Sequence, residues 1–559
     1  MLKSVYLTLG VVVFSCFNLI AQTEWNDVSI TKVNREEART IAIPFANEEQ
    51  VRTLSTEDSP FYMSLNGVWK FNWVPEPEKK PENFQENSYN VNAWDNIDVP
   101  ALWQIYGLRN NKNWDPPVYT NINYPFTYDQ TTYRVQETPR EDFTYNSKMK
   151  NPVGSYRREF TVPDNWDGRD IFIRFNGVMG AYYLWINGQK VGYSEDSQLP
   201  SEFNITQYIQ QGTNILAIQV YRFSSTSFIE CQDFWRVTGI HRDVFIWSAP
   251  KTQIRDFFFQ TDLDDNYINA NVSIDLELTG VTLPKGRITA KLFEDGKVIA
   301  EKELAALTIG TNNKITFKVD NPKKWSAEIP NLYDLVLTLQ NGDKIIDVRG
   351  GKVGFREVSV RSDGALLING QRMVFHGVNR HDHSEWTGRA ITKEDMEKDI
   401  KVMKRLNINA VRTAHYPNNP YFYELCDKHG LYVLAEANVE CHGNTGLSQV
   451  EAFRPAMIER SENMVKRYKN HPSIFMWSFG NESGNGPNFQ YVSEAVKALD
   501  KTRLTHYEGN SQWCDVTSTM YANYDHIKRI GEERMKETNP RPHIQCENSH
   551  AMGNAMGNV

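Results

Sequence analysis

The sequence predicts a multidomain protein in which two β-sandwiches precede an α/β barrel. Across residues 22–250, short segments alternate apolar and polar residues between turn signals, which indicates a β-sandwich. Across residues 251–358, strands recur between Gly and Asn-Pro turns at the spacing of an immunoglobulin-like β-sandwich. Across residues 359–559, strands and helices alternate, which predicts a parallel sheet and a (β/α)8 TIM barrel.

Length, charge and cysteine content narrow the possible classes of protein. The chain has 559 residues, which is too long for a single hydrophobic core. Its net charge of −8 argues against nucleic acid or an anionic membrane as a partner. Of its 6 cysteines, Cys16 lies in the apolar leader, and the odd number that remains is not a disulfide framework.

The N-terminus has the pattern of a signal peptide over residues 1–21. Lys3 precedes an apolar run that ends before Ala21, and we expect cleavage after Ala21. This run is short for a membrane span and no similar run follows, so we expect no stable membrane insertion. Cys16 is a poor lipid acceptor because Phe14 and Phe17 flank it. The protein is therefore predicted to be secreted or periplasmic.

The first two domains carry distinct strand signals. In the first domain Asn187-Gly188 predicts a hairpin tip. The predicted strands cover residues 67–73, 156–162, 171–175, 182–186 and 215–220. The second domain has predicted strands over residues 270–278 and 314–319, and nothing in it has a catalytic pattern.

About seven barrel strands are predicted in the third domain. They cover residues 373–375, 410–412, 431–434, 474–477, 504–507, 518–521 and 543–546. Thr392 and Asp395 form the pattern of a capping box, which opens a helix with Met396, Ile400, Met403 and Leu406 on one face. Further helices are predicted over residues 421–428, ended by Gly430, and 456–468.

Two glutamates follow the fourth and seventh of these strands. Glu482 and Glu547 therefore lie at the C-terminal ends of the strands, where the catalytic residues of such barrels collect. An isolated glutamate at a strand end is more often solvated or caps a helix. Gly480 and Gly484 leave room for a ligand around Glu482, however, and two such carboxylates are the minimum needed to cleave a glycosidic bond.

Residues 477–486, with Trp-Ser-Phe-Gly-Asn-Glu at their start, and residues 546–554 resemble the acid/base and nucleophile signatures of glycoside hydrolase family 2. The resemblance is to the long bacterial β-galactosidases of that family and extends from about residue 34 to the end. It implies a retaining exo-β-galactosidase in which Glu482 is the general acid/base and Glu547 is the nucleophile. It also implies that the first domain is a sugar-binding-like jelly roll.

The resemblance assigns further residues to the substrate site. Asn481 would bind the 2-hydroxyl of the sugar, and Tyr521 would donate a hydrogen bond to Glu547. The full set of implied substrate-binding residues is Asn121, Asp196, His381, His415, Asn481, Tyr521 and His550.

Metal ions are also implied. On their own, Glu440 and His442 after the third strand could equally be a hydrogen-bonded pair. The resemblance implies that they hold Mg²⁺ together with Glu482, and that Asp196 contributes to a Na⁺ site whose other ligands this chain lacks.

Departures from the family pattern leave alternatives open. Asn548-Ser549 and Asn485 differ from the residues usual in the nearest relatives, which puts a strict lactose preference in question. The chain stops before an eighth strand, so we expect a fragment of a longer parent that could be homo-oligomeric. One alternative is a β-glucuronidase or β-mannosidase, and the pair Glu440 and His442 argues against it. The other is a non-catalytic carbohydrate-binding or inactive fragment.

Overall fold

A computed structural model describes residues 23–136, 151–310 and 312–550 of the protein. The predicted signal peptide of residues 1–21 lies outside the described residues. The described residues form two β-sandwiches followed by parallel strands that alternate with helices, which confirms the predicted fold class.

The first sandwich packs a large antiparallel sheet on a smaller one. The core between them contains Trp69, Ile173 and Leu184. In order, the strands of the large sheet are Lys32–Val33, Gln189–Ser194, Ala181–Ile186, Thr213–Tyr221, Val153–Thr161, Gly67–Val74 and Asp95–Val99. The strands of the small sheet are Ser201–Asn204, Asp170–Phe175, Val244–Ala249 and Tyr62–Ser64.

Short elements complete this domain. The helix Trp103–Arg109 belongs to it, whereas the helix Glu48–Thr53 packs through Val51 against Val336 and Val348 of the second sandwich. Three short antiparallel pairs join Val118–Thr120 to Phe234–Arg236, Val178–Met179 to Gly239–Ile240, and Thr127–Tyr128 to Val135–Gln136. The predicted hairpin tip is confirmed, because Ile186 pairs with Gln189 and both Asn187 and Gly188 have positive φ.

The second sandwich pairs a sheet of three strands with a sheet of four. Alternate residues of its second strand, including Val272, Ile274 and Leu276, are buried in the core, as expected for strands that are covered on one face. The strands of the first sheet are, in order, Gln253–Leu263, Ala270–Thr279 and Asn312–Val319. The strands of the second sheet are, in order, Lys297–Ala305, Gly286–Glu294, Tyr333–Asn341 and Lys344–Val353.

The described part of the third domain contains seven parallel strands and five α-helices. The strands are β1 Gly377–Arg380, β2 Ala410–Thr413, β3 Tyr432–Glu436, β4 Ile474–Ser478, β5 Leu504–His506, β6 Thr517–Met520 and β7 His543–Glu547. The helices are α1 Lys393–Arg405, α2 Pro420–His429, α3 Arg454–Tyr468, α4 Asn488–Leu499 and α5 Tyr524–Arg534.

The strands are held beside one another by backbone and side-chain contacts. β1 to β5 form one parallel sheet in chain order, and β6 pairs with β7. The N–H groups of Asp515 and Val516, before β6, donate to the carbonyl of Thr505 on β5. The Asn379 amide on β1 donates to the carbonyl of Cys546 on β7 at 3.0 Å. The C-terminal ends of these strands therefore face a common side.

The prediction of a first barrel strand over residues 373–375 is wrong. Met373 and Phe375 pack against the apolar cluster beneath the parallel strands, which accounts for their apolar pattern. The backbone that pairs with β2 begins only at Gly377. An antiparallel sheet of Val358–Val360, Leu366–Ile368 and Gln371–Arg372 precedes it.

The prediction for helix α1 is correct except at its end. Thr392 and Asp395 form the capping box, and Met396, Ile400 and Met403 are buried. Leu406, expected on the same face, is 66% exposed because the helix ends at Arg405.

The sequence predicts neither a disulfide framework nor a membrane-spanning segment. The cysteines of the described residues, Cys231, Cys426, Cys441, Cys514 and Cys546, are all free and buried, so the prediction of no disulfide framework is confirmed for them. Within the same residues, no helix has both the length and the apolar character needed to cross a membrane.

The second sandwich is fixed against the barrel by buried contacts. The Arg356 guanidinium donates to the carbonyls of Pro472 and Ile474, at 3.1 and 2.7 Å. Gly430, which ends α2 with a φ of 75°, lies so close to the second sandwich that a Cβ would be 2.2 Å from the carbonyl oxygen of Ala327.

We expect Gly430→Ala to destabilise the protein more than Gly212→Ala. Both glycines have positive φ, so each substitution costs about 1–2 kcal/mol of backbone strain. Nothing lies within 4 Å of a Cβ at Gly212, whereas the clash at Gly430 adds a cost of about 1–3 kcal/mol. Thermal unfolding of both variants measures the difference, and equal melting temperatures would contradict the inferred contact between the domains.

Candidate active site

The turn after β4 presents Asn481 and Glu482 at the C-terminal face of the strands. Gly480 has a φ of 140°, and a Cβ there would lie 2.3 Å from the carbonyl of Val439. Only glycine allows this approach, which lets the Asn481 N–H donate to the same carbonyl at 2.9 Å. The turn is thereby held against the loop that follows β3, and Glu482 lies next to Glu440 and His442.

Glu547, the last residue of β7, is held by a cation and a phenol. Arg412 Nη1 donates to Oε1 at 2.8 Å, and the Tyr521 hydroxyl donates to Oε2. His415 Nε2 lies 3.7 Å from Oε1. The carboxylate is thus fixed from both oxygens.

Arg412 on β2 contacts residues of β1, β3 and β7 and of the turn after β4. In addition to Glu547, its Nε donates to Glu436 Oε2 at 2.8 Å and its Nη2 donates to Asn481 Oδ1 at 2.9 Å. Its Nη1 also reaches Asn379 Oδ1 at 3.3 Å. Burial lowers the pKa of Arg412, but the neighbouring carboxylates outweigh burial and raise the pKa above its ordinary value.

His415 is neutral and oriented by Glu436. Its Nδ1 lies 2.9 Å from Glu436 Oε1, so Nε2 is directed toward the side of Glu547. Burial and the positive charge of Arg412 lower the pKa of His415 to about 3. At neutral pH the ring can therefore form hydrogen bonds to a neutral ligand without carrying a charge itself.

His381, directly after β1, is packed between aromatic groups. Its ring stacks on Phe234 of the first sandwich with centroids 4.4 Å apart, and its Nδ1 lies 3.1 Å from the Tyr416 hydroxyl. Burial and the neighbouring His415 lower its pKa well below the ordinary range. Asp382, the next residue, is bound by Arg380 and Arg242 and has a structural role.

Glu440, His442 and Glu482 form a cluster with the properties of a cation site. One ligand atom from each lies within 4.8 Å of the others. Both carboxylate oxygens of Glu440 are buried and accept no hydrogen bond from the described residues. Burial and the charge of Glu482 raise the pKa of Glu440 well above its ordinary value. Two carboxylates and an imidazole fit a hard divalent cation such as Mg²⁺.

His442 and Glu482 contact each other directly, and each shifts the pKa of the other. His442 Nδ1 lies 3.0 Å from Glu482 Oε2, and this carboxylate raises the pKa of His442. Burial works to raise the pKa of Glu482, but the contact with His442 outweighs it and lowers the pKa.

The two site residues predicted from the first sandwich lie against the loop after β3. Asn121 is exposed, and the carbonyl of the next residue, Ile122, lies 2.6 Å from where a Cβ of Gly443 would be. Asp196 is half-buried with its side chain 8% exposed, and its Oδ1 accepts from the Asn438 amide at 2.9 Å. Its Oδ2 is buried and has no hydrogen-bond partner among the described residues, so it could serve as a cation ligand.

Tyr521 and His550 lie at the edge of the site beyond β6 and β7. Tyr521 is 45% exposed, and its ring stacks on His550 with centroids 6.4 Å apart. His550 is exposed. The structure thus brings Tyr521 into contact with Glu547 and places His550 on the outer side of Tyr521.

Sequence reasoning missed two acidic residues. Glu436 ends β3 and orients both Arg412 and His415. Glu508 follows β5, and its Oε2 accepts the backbone N–H of Glu482 at 3.0 Å, while burial raises its pKa. Both follow the same strand-end rule that identified Glu482, so the signal was present in the sequence.

Two buried histidines predict a loss of stability in acid. Burial lowers the pKa of His415 and His506 to about 3, whereas the unfolded chain binds these protons near pH 6.5. Stability is therefore complete above pH 6.5 and falls as pH decreases toward 3, by about 2 kcal/mol per histidine between pH 7 and pH 5.

Urea unfolding at pH 7 and pH 5 should show this loss, and His506→Asn should reduce it. The control is the same pair of measurements on the unsubstituted protein. If the pH dependence is the same in both proteins, His506 is not a neutral buried group.

Comparison with known proteins identifies the family. Models described as the sugar binding domain of glycosyl hydrolases family 2, glycosyl hydrolases family 2, and the TIM barrel domain of that family match residues 62–250, 252–356 and 358–559. A β-galactosidase of Priestia megaterium is 40% identical over 562 residues, which cover 96% of this chain and 52% of the relative. One of Halalkalibacterium halodurans is 38% identical over 551 residues, covering 95% and 52%.

The chain thus spans about half the length of the curated relatives it matches. Solved structures share the fold. A β-glycosidase from Bacteroides vulgatus has a TM-score of 0.68 at 24% identity, covering 85% of this chain and 58% of that one. A Bifidobacterium dentium β-glucuronidase has a TM-score of 0.70 at 20% identity, covering 90% and 87%. With successive models of one family matching from residue 62 to residue 559, the chain belongs to glycosyl hydrolase family 2.

Proposed function

We propose that the protein is a retaining exo-β-galactosidase that releases terminal non-reducing β-D-galactose from oligo- or polysaccharides. The observation that carries the proposal is the placement of Glu482 after β4 and of Glu547 at the end of β7, in unlike surroundings. Glu547 is bound to a guanidinium, and Glu482 lies in an acidic cluster. The β-galactosidase relatives support galactose as the sugar.

In the first step, a Glu547 oxygen attacks the anomeric carbon and the glycosidic bond breaks. Arg412 holds one oxygen of Glu547, and Tyr521 holds the other. The protonated form of Glu482 gives its proton to the departing oxygen, so the leaving group departs as an alcohol. This form is the minor one at neutral pH, because the contact with His442 lowers the pKa of Glu482. The products of this step are a galactosyl-enzyme and an ionised Glu482.

In the second step, Glu482 takes a proton from water and the water oxygen attacks the anomeric carbon. The bond to Glu547 breaks, and galactose leaves with retained configuration. Asn481 is positioned by Arg412 to bind the 2-hydroxyl. His381 and His415 are neutral. Because Nδ1 of His415 donates to Glu436, its Nε2 can accept a hydrogen bond from a sugar hydroxyl.

Glu440, His442 and Glu482 would hold Mg²⁺, which would restrain Glu482 and stabilise its ionised form. Asp196 would supply a ligand to Na⁺ through its unpartnered oxygen. The apolar leader of residues 1–21 supports export to the periplasm or the medium. Homo-oligomerisation of the full-length protein is part of the same proposal.

We expect Glu547→Gly and Glu482→Gly to lose hydrolysis of nitrophenyl β-galactoside and to respond differently to azide. Loss of the acid/base costs about 10²–10⁴-fold on substrates that need protonation. Azide should give the α-galactosyl azide with Glu547→Gly, because it attacks the substrate directly. It should give the β-azide with Glu482→Gly, because it attacks the galactosyl-enzyme.

Product configuration is read by NMR, with Glu494→Gln on the exposed face of α4 as the control carboxylate. The same azide from both variants would contradict the roles. Efficient cleavage of the nitrophenyl glucuronide or mannoside by the unsubstituted protein, with no cleavage of the galactoside, would contradict the proposed specificity for galactose. It would leave the catalytic roles of Glu482 and Glu547 unchanged.

We expect Mg²⁺ binding to release protons and to tighten as pH rises. The pKa values of Glu440 and His442 are both raised, and both groups must lose a proton to bind a cation. Calorimetry in two buffers of different ionisation enthalpy, at pH 6 and pH 8, counts the protons. Glu440→Gln should abolish the binding, and proton-independent binding would contradict the assigned ligands.

A further inference from the structure

A two-stranded ribbon of the first sandwich carries an exposed aromatic pair. This rim ribbon consists of Val118–Thr120 and Phe234–Arg236, and Tyr119 lies directly opposite Trp235 in its register. The two rings meet edge to face with centroids 5.8 Å apart. They remain 44% and 41% exposed, although the chain buries most of its other large aromatic side chains. Among the described residues, these two rings form an aromatic pair only with each other.

The rim ribbon is fixed beside the catalytic residues. The Glu440 N–H donates to the carbonyl of Ile229, and the Cys231 N–H donates to the carbonyl of Glu440, both at 2.9 Å. Three residues further along, the ring of Phe234 stacks on His381 at 4.4 Å. The segment therefore runs from the residues around Glu482 to those around His381.

Trp235, Tyr119 and Asp233 form one surface of the ribbon. Neighbouring residues of a strand point to opposite faces, so Trp235 points away from the side on which Phe234 contacts His381. The Tyr119 hydroxyl donates to Asp233, which fixes that carboxylate beside the rings. Asp233 also lies two residues beyond Cys231, whose N–H donates to the carbonyl of Glu440.

We infer that Tyr119, Trp235 and Asp233 form the subsite for the sugar that leaves in the first step. This inference rests on the proposed function. Glu482 protonates the leaving oxygen, so the leaving group must lie on the side of Glu482 and His442. The segment that carries Asp233 and Trp235 is hydrogen-bonded to Glu440 on that side. The occupant is a pyranose ring, with its C–H face on Trp235 and a hydroxyl bonded to Asp233.

The residue types suit a sugar better than an apolar group. An indole and a phenol present flat apolar surface, whereas the fixed Asp233 carboxylate accepts hydrogen bonds. A pyranose offers both an apolar face and hydroxyls. The site would thus favour galactosides whose leaving group is itself a sugar, as in an oligosaccharide.

Two substrates with different leaving groups test the inference in protein made from its complete coding sequence. β-Galactosyl fluoride has a leaving group of one atom, which cannot reach the rim ribbon. A β-linked galactosyl-glucose disaccharide places a pyranose there. For Trp235→Ala we expect kcat/KM for the disaccharide to fall about tenfold, the upper range of an aromatic contact, and kcat/KM for the fluoride to change less than about twofold.

Trp235→Phe keeps an apolar ring, so we expect a smaller fall in kcat/KM for the disaccharide. This variant replaces Trp235→Ala if the alanine variant does not fold. Tyr491→Ala on α4 is the matched control, because Tyr491 is also 41% exposed and lies away from the rim ribbon. We expect it to leave both substrates unchanged.

The outcomes separate this inference from the proposed function. Equal loss on both substrates, or loss on neither, overturns the subsite and leaves the galactosidase proposal standing, because the unsubstituted protein cleaves galactosyl fluoride. If the unsubstituted protein cleaves neither substrate, the proposed function fails and the subsite fails with it.

Discussion

The buried guanidinium of Arg412 is the interaction on which the site depends. It lies between Glu436 of β3 and Glu547 of β7, and it also binds the amide of Asn481 beyond β4. Because two carboxylates share this one cation, removal of Arg412 would leave buried negative charge, which typically costs about 3–5 kcal/mol. The hydrogen bonds also set the relative positions of strands that are not neighbours. The geometry between Glu547 and Asn481 is therefore determined by the charge of a single side chain.

The first sandwich is part of this site rather than a separate module. Asp196 and Glu230 both accept from the Asn438 amide in the loop after β3, and Arg460 of α3 donates to Glu230 at 2.7 Å. Asn438 and Arg460 are buried, so the orientation of the sandwich is fixed by polar and charged groups that cannot be left unpaired. As a result, the segment around Phe234 has a defined position over the barrel strands. The geometry that brings Phe234 to His381 follows from this docking.

The sequence was sufficient to predict the architecture and the strand ends, because apolar periodicity reports burial directly. It failed where burial and strand pairing differ: Met373 and Phe375 are apolar because they pack beneath the strands, although they pair with none of them. Glu436 and Glu508 were missed because an acidic residue at a strand end is also a common helix cap. The partners of Arg412 come from residues up to 135 positions away, and such contacts depend on register between strands, which composition and spacing do not specify.

Two buried carboxylates of this chain show what the cluster around Glu482 requires. Burial raises the pKa of Glu202, but Arg174 and Arg39 outweigh burial and hold the pKa at about 2. Glu440 is just as buried, yet no guanidinium or ammonium group contacts it among the described residues, and its pKa is raised well above the ordinary value. A carboxylate in this condition must either hold a proton or receive a cation from outside the chain. A second carboxylate and an imidazole converge on it, so the cluster with both carboxylates ionised carries two negative charges, which the two positive charges of the proposed Mg²⁺ would balance.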